Sequence, residues 1–257
     1  MKGQDYSIGP VEMRGCFTGE FGLGDELPIE EAPYVIERDR INEGKLPGFN
    51  RKLLPMMAEA DGSDRTAGGY YLLETFEQAK YMYDWYQDPI NGFILDGIPM
   101  MQRKYFLNPV AHYWQVIGAH DFKSIESGQK VVRFQRWICK QGDMESKLES
   151  LWSSTRDEAE GAGLSSVWLL MNPAQEESIG LVMAADASPG YDGNAPDFAA
   201  VESLKGLASP GRRFEDDGWA KLNFDRSSLV YSIWFPYATG ADNRPTLWPN
   251  SPPFPGL

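Results

Sequence analysis

Cysteine, histidine and long apolar runs are scarce in this sequence, and each shortage argues against a class of protein. The 257 residues include two cysteines, Cys16 and Cys139, which are far apart and have no metal-binding spacing. A disulfide scaffold or a cysteine-based zinc site is therefore not expected. No run approaches the roughly 18 to 20 apolar residues of a membrane span, and residues 1–10 lack the apolar core of a signal peptide. We expect a cytoplasmic protein without a membrane partner.

Basic residues are also in short supply. The chain has 24 lysines and arginines against 37 aspartates and glutamates, and its formal net charge is −13. Because a protein that binds nucleic acid neutralises phosphates with a basic surface, this balance argues against a nucleic-acid partner. The sequence has no HExxH motif, and the acidic residues 30–39 have no histidine beside them, so no metal site is expected.

What the sequence does contain is one order of elements that occurs twice. The first half predicts strand, helix, strand, strand, helix and strand, at 11–17, 25–42, 49–59, 70–74, after Thr75 and at 103–117. A glycine-rich turn is predicted over 18–24, and Thr75 with Gln78 is typical of a helix capping box. The second half predicts the same order, with strands at 131–138, 167–171, 179–184 and 229–235 and helices capped by Asp143 and Asp197.

This order is that of a ferredoxin-like unit. A four-stranded sheet with both helices on one face leaves its other face open, so the second unit is expected to cover the first. We therefore predict an α+β fold of two tandem ferredoxin-like units, 1–125 and 126–238, packed sheet to sheet as an α+β barrel. The proline-rich residues 239–257 are expected to form an extended C-terminal arm, through which a homodimer could form.

Three segments of the first half carry a family resemblance. They are FTGEFGLGD at 17–25, PGFNRK at 47–52 and TAGGYYLLET at 66–75. They resemble the YdhR-like monooxygenases, members of the antibiotic-biosynthesis-monooxygenase-like dimeric α+β barrel superfamily. The resemblance covers about residues 11–120, and the second half matches the superfamily only in its order of elements.

The resemblance implies a cleft between sheet and helices that holds a small aromatic, phenolic or polyketide-like molecule, frequently without metal or flavin. The leading hypothesis is a cofactor-independent monooxygenase. A lyase, isomerase or decarboxylase acting on a similar substrate stays open, because related barrels host many reactions. A haem protein with His112 or His120 as axial ligand, or a ligand-binding protein without catalysis, also stays open.

The two histidines are the first candidate catalytic residues, because imidazole titrates near neutrality without perturbation. His112 shares strand parity with Asn108 and Trp114 and is the candidate general base. The alternative is a half-buried strand residue bonded to backbone. His120 is expected past the strand end, where a capping or surface role competes with catalysis.

The run 131–138 supplies the second set of candidates. Alternation places Arg133 and Trp137 on one face and Arg136 on the other. A buried guanidinium needs a partner, which is either an anionic substrate group or an acidic side chain. Further residues that line a pocket or fill the core are Tyr105, Asn108, Trp114, Trp137, Tyr231 and Trp234.

Overall fold

The computed structural model describes most of the chain as alternating strands and helices. The described residues are 8–24, 26, 39, 43, 46–57, 65–88, 94–95, 98–99, 102–125, 129–138, 144–172, 178–192, 197–207 and 210–236. The strands are β1 Gly9–Pro10, β2 Gly15–Leu23, β3 Phe49–Met57, β4 Thr66–Leu73, β5 Ile94–Leu95, β6 Ile98–Pro99, β7 Phe106–Asp121, β8 Lys130–Ile138, β9 Ser166–Asn172, β10 Ser178–Asp186 and β11 Ala220–Trp234. The helices are α1 Phe76–Gln87, α2 Met144–Gly161, α3 Phe198–Gly206 and α4 Arg212–Asp216.

Eight antiparallel strands close into a barrel. Their order is β7-β2-β4-β3-β11-β8-β10-β9, and β9 pairs back onto β7. The strands of the first half meet those of the second half at two seams, β3 with β11 and β7 with β9. The predicted α+β barrel is therefore confirmed. Its halves are joined by hydrogen bonds along both seams as well as by packing across the interior.

Among the described residues, one apolar cluster fills the barrel interior, with members from all eight strands and none from the described helices. It includes Cys16, Tyr70, Trp114, Phe134 and Trp168. Two other clusters lie on the outer faces of the strands, where α1 covers β2 and β7, α2 covers the seam of β7 and β9, and α3 covers β8 and β11. Strands β4, β8, β9 and β10 are buried on both faces, which explains their nearly continuous burial, whereas β7 and β11 are exposed where they begin.

Two predicted helix starts are confirmed in atomic detail. Thr75 Oγ1 accepts from the backbone N–H of Gln78 at 3.2 Å, and the Gln78 side chain accepts from the backbone N–H of Thr75 at 2.9 Å. This is a complete capping box at α1. Asp197 caps α3 by accepting from the backbone N–H of Ala200 at 3.0 Å.

Several predicted boundaries were wrong. Residues 18–24 are not a turn, because β2 runs from Gly15 to Leu23 and its glycines pair within the sheet. His120 is not past the strand end, since β7 extends to Asp121. The last strand starts at Ala220, and the predictions include neither α4 nor the β5–β6 pair. The predicted helix 25–42 lies almost wholly outside the described residues, as do Asp143 and the arm 239–257.

The described helices are also too short or too polar to cross a membrane.

Candidate functional site

A cavity of about 590 Å³ opens at one end of the barrel. This volume is within the roughly 300–1,000 Å³ of small-molecule sites. Its wall is mixed: polar side chains come from Glu20, Tyr70, Asn108, Arg136 and Arg226, and apolar ones from Phe21, Leu107, Val110 and Phe224.

Irregularities in the pairing of β7 and β11 position the residues that line this cavity. Glu20 pairs with Val110 and Gly22 with Leu107, so β7 carries one residue more than β2 at this point, where Asn108 has φ 48°. On the other side, β11 spans four positions between Lys221 and Asp225 while β8 spans two. Bulges of this kind re-aim side chains at barrel rims. Here both irregularities line the same cavity.

Glu20 is the group with the most unusual environment in the cavity. It lies on the inner face of β2, in alternation with Cys16 and Thr18. Both carboxylate oxygens are shielded from solvent, and neither has a hydrogen-bond partner in the described part of the chain. Burial raises the pKa of Glu20 to about 8, although the charges of Arg136 and Arg226 act to lower it. A carboxyl group with this pKa can exchange a proton near neutral pH.

Arg136 and Arg226 bring positive charge to the same cavity. The guanidinium carbon of Arg136 lies 5.3 Å from the ring centroid of Trp114 and 5.5 Å from that of Phe224. The guanidinium carbon of Arg226, which is exposed at the mouth, lies 5.9 Å from the Phe224 ring. Cations at these distances are attracted by aromatic faces. The arrangement can therefore hold an anion that forms beside Glu20.

His112 lies on the inner face of β7, deeper in the barrel than the residues that line the cavity. Its side chain is 8% exposed, its ring centroid is 5.6 Å from that of Trp114, and its Nδ1 has no hydrogen-bond partner among the described residues. Burial and the charge of Arg136 lower the pKa of His112 to about 3. The imidazole is therefore neutral near pH 7 and is a weaker base than Glu20.

The structure brings four of the sequence-predicted residues to this end of the barrel interior. Asn108 and Arg136 line the cavity, and Trp114 and His112 lie directly behind it. Trp114 is fully buried and donates from Nε1 to Thr18 Oγ1 at 2.9 Å. These residues stay candidates for the roles that the sequence assigned to them.

The other predicted residues lie away from the cavity. Arg133 faces the helices, where it makes two 2.7 Å hydrogen bonds to Asp225 and donates to the carbonyls of Leu204 and Leu207. Trp137 packs on Phe214, with ring centroids 5.0 Å apart. Tyr105, Tyr231 and Trp234 belong to the outer cluster of the first half. His120 lies at the far end of β7 against Phe122, with centroids 4.8 Å apart.

A second buried polar cluster occupies the space between the first-half strands and α1. Lys52 Nζ donates to Glu43 at 2.9 Å, Tyr71 donates to the same carboxylate at 3.0 Å, and the hydroxyl of Tyr86 also donates to it. Burial lowers the pKa of Lys52, against the opposing charge of Glu43. The resemblance implied a ligand cleft on this side of the sheet. The described groups here satisfy one another, so the barrel-end cavity is the stronger candidate site.

Sequence reasoning missed Glu20, Tyr70, Phe224 and Arg226. Glu20 was assigned to a turn, and only a strand assignment for 15–23 exposes its alternation with Cys16 and Thr18. An acidic residue on the buried face of a strand is the signal that was available. Phe224 and Arg226 were outside the predicted last strand, which began at 229.

Among the side chains that the structure describes, no group of three or more histidine, cysteine, aspartate or glutamate residues is placed to hold a metal ion.

Comparison with known proteins relates the chain to others by fold only. No protein-family profile and no curated protein sequence matches it. A solved structure named "putative monooxygenase" from Fusobacterium nucleatum superimposes with a TM-score of 0.53 and 10% identity over 87% of this chain and 94% of that chain. A structure of the same name from Lactobacillus acidophilus has a TM-score of 0.51 and 10% identity, over 86% of this chain and 96% of that chain. The structure of an anthrone oxidase-like protein has a TM-score of 0.52 and 10% identity, over 90% of this chain and 97% of that chain. The chain therefore has the fold of these monooxygenase-like proteins.

Proposed function

We propose that this protein is a monooxygenase that acts on a small aromatic molecule with an acidic C–H or phenolic group, without a bound cofactor. The observation that carries the proposal is the shielded carboxyl group of Glu20, which has no hydrogen-bond partner among the described residues and shares an aromatic-walled cavity with Arg136 and Arg226. A base next to positive charge suits proton removal, because the cations stabilise the anion that forms.

The proposed reaction proceeds at an activated methylene of the substrate. Glu20 takes the proton, and the two electrons of the broken C–H bond stay on the substrate as an anion. Arg136 and Arg226 stabilise that anion. It passes one electron to dioxygen, and the two radicals combine as a peroxide anion. Glu20 returns its proton to give the hydroperoxide, and loss of water leaves a carbonyl group. One dioxygen is consumed for each CH₂ converted to C=O and one water, so no external reductant is needed.

The fold supports the proposal as analogy. Proteins named as monooxygenase or anthrone oxidase-like share the barrel, and fold likeness alone is a weak functional warrant. We propose further that the two halves, 1–125 and 126–238, are tandem ferredoxin-like units, and that the first half is YdhR-like. The first half contributes Glu20 and Asn108 to the cavity, and the second contributes Arg136 and Arg226.

The test is turnover of anthrone, a three-ring ketone with an acidic methylene, measured with an oxygen electrode and by product absorbance. We expect consumption of one dioxygen per anthrone and formation of anthraquinone. Glu20→Gln should lower the rate on the order of 100-fold or more, because a general base is worth about that much. Glu149→Gln, an exposed change of the same kind on α2, is the control and should keep full activity.

Two results would contradict the proposal. Enzyme-dependent conversion of an aromatic substrate at an equal rate under nitrogen would favour a lyase, isomerase or decarboxylase that uses the same base and cations. Full oxygen consumption by Glu20→Gln would remove Glu20 from the reaction.

A further inference from the structure

Phe224 occupies a special position in β11. It lies in the irregular stretch between Lys221 and Asp225, where β11 has two residues more than β8. A regular ladder would leave no room for these extra residues, so the irregularity itself decides where the ring goes. The ring is half-buried and forms part of the cavity wall.

The Phe224 ring is next to both cavity arginines. It lies 5.5 Å from the guanidinium carbon of Arg136 and 5.9 Å from that of Arg226. Trp114 lies 5.3 Å from the Arg136 guanidinium carbon, so that cation contacts two aromatic rings. An arginine side chain has many rotamers, and ordering it carries an entropy cost that such contacts offset.

Phe224 is itself held by the barrel core. Its ring packs edge to face on Phe134, with centroids 5.2 Å apart, and Phe134 packs in the same way on Tyr70 at 5.2 Å. Phe134 is fully buried and belongs to the interior cluster. The position of the two cations is thereby tied to the rigid centre of the barrel.

We propose that Phe224 is a positioning residue whose ring holds the guanidinium groups of Arg136 and Arg226 toward the carboxylate of Glu20. This inference deepens the proposed function and rests on it for its catalytic meaning. The titratable groups that act on Glu20 or lie around it come from each neighbouring strand: Cys16 on β2, Tyr70 on β4, His112 on β7, Arg136 on β8 and Arg226 on β11. The two arginines are the groups among them that lower the pKa of Glu20.

The test is the titration of Glu20 in the full chain, followed by NMR of isotope-labelled glutamate carboxyl groups and assigned by the signal lost in Glu20→Gln. In Phe224→Leu the arginines lose their aromatic support and move away. The pKa of Glu20 should then rise by about one unit, the size expected when nearby opposite charge is withdrawn. Phe224→Tyr keeps the ring and should keep the wild-type titration.

Two further variants separate this effect from general destabilisation. Phe122→Leu removes a partly buried aromatic ring next to His120, at the other end of β7, and should leave the titration of Glu20 unchanged. Phe224→Met keeps most of the volume without a ring, and it replaces Phe224→Leu if that variant does not fold. An unchanged or lowered pKa of Glu20 in the ringless variants would overturn the inference. The titration needs no substrate, so its outcome is independent of whether anthrone is oxidised.

Discussion

At the scale of single residues, the site depends on a competition between burial and charge at Glu20. Removal from water disfavours the carboxylate, and the nearby cations of Arg136 and Arg226 favour it. The effect of burial is larger than that of the two cations, and the pKa of Glu20 is raised to about 8. A group poised in this way binds its proton reversibly at neutral pH, which an ordinary surface glutamate does not do.

Burial and nearby charge also explain why His112 is a weaker candidate for the general base than the sequence suggests. Imidazole is the natural candidate base when only the sequence is known. In the barrel, however, burial and the charge of Arg136 both act in one direction on His112 and lower its pKa to about 3. These influences come from residues distant in sequence, so no local pattern around 112 could have predicted them.

Variants of the two arginines predicted on β8 should distinguish a role in activity from a role in stability. Arg136→Gln should lower turnover of anthrone while the free energy of unfolding changes little, because Arg136 faces the cavity. Arg133→Gln should leave turnover unchanged but lower the free energy of unfolding by about 2 kcal/mol, since it removes charged hydrogen bonds to Asp225. Steady-state kinetics and urea unfolding of both variants check this. The opposite pattern would assign the substrate anion to Arg133.

At the scale of elements, tertiary pairing decided what the local pattern left open. Residues 18–24 contain three glycines, which favour a turn in isolation. In the barrel, β2 pairs along its length with β4, and Gly19 lies opposite Gly69. The helix starts at Thr75 and Asp197 were predictable because their capping chemistry is local. The irregular stretches of β7 and β11 were not, because each exists only relative to its partner strand.

Gly68 on β4 is the glycine with the clearest steric requirement near the site. It pairs with Glu20, and a Cβ at this position would lie 2.4 Å from the carbonyl oxygen of Gly19. Gly68→Ala should therefore shift the β2–β4 pairing and lower the free energy of unfolding by about 1–3 kcal/mol.

The matched control is Gly161→Ala at the end of α2, where a Cβ meets nothing within 4 Å. It should be neutral or slightly stabilising, because alanine restricts the unfolded chain. Urea unfolding of both variants makes the comparison. Equal stabilities would show that β4 accommodates a side chain at position 68.

At the scale of the whole molecule, the barrel has two different ends. At one end of β7, Asp121 is buried and paired with Arg51 at 2.6 Å. At the other, Glu20 faces a cavity and its oxygens have no partner in the described structure. A buried ionisable group that lacks a hydrogen bond is costly for stability, and ionisable groups with strongly shifted pKa values cluster at functional sites.

The α+β barrel was predictable because periodicity and order of elements are properties of the sequence itself. The seams of β3 with β11 and β7 with β9 were not, since they join residues far apart along the chain. The cavity depends on strands from both halves, which is why the sequence identified Arg136 and Asn108 but not their relation to Glu20.

The most direct test of the central claim is the pH dependence of kcat/KM for anthrone oxidation by the wild-type protein and by Glu20→Gln. In the proposed mechanism the base form of Glu20 is the active one, so kcat/KM of the wild type should rise with pH through an inflection near 8 and then level off. Glu20→Gln should have a low kcat/KM without that inflection. An inflection near 8 that persists in Glu20→Gln, or a wild-type profile that falls as pH rises through this range, would contradict the account.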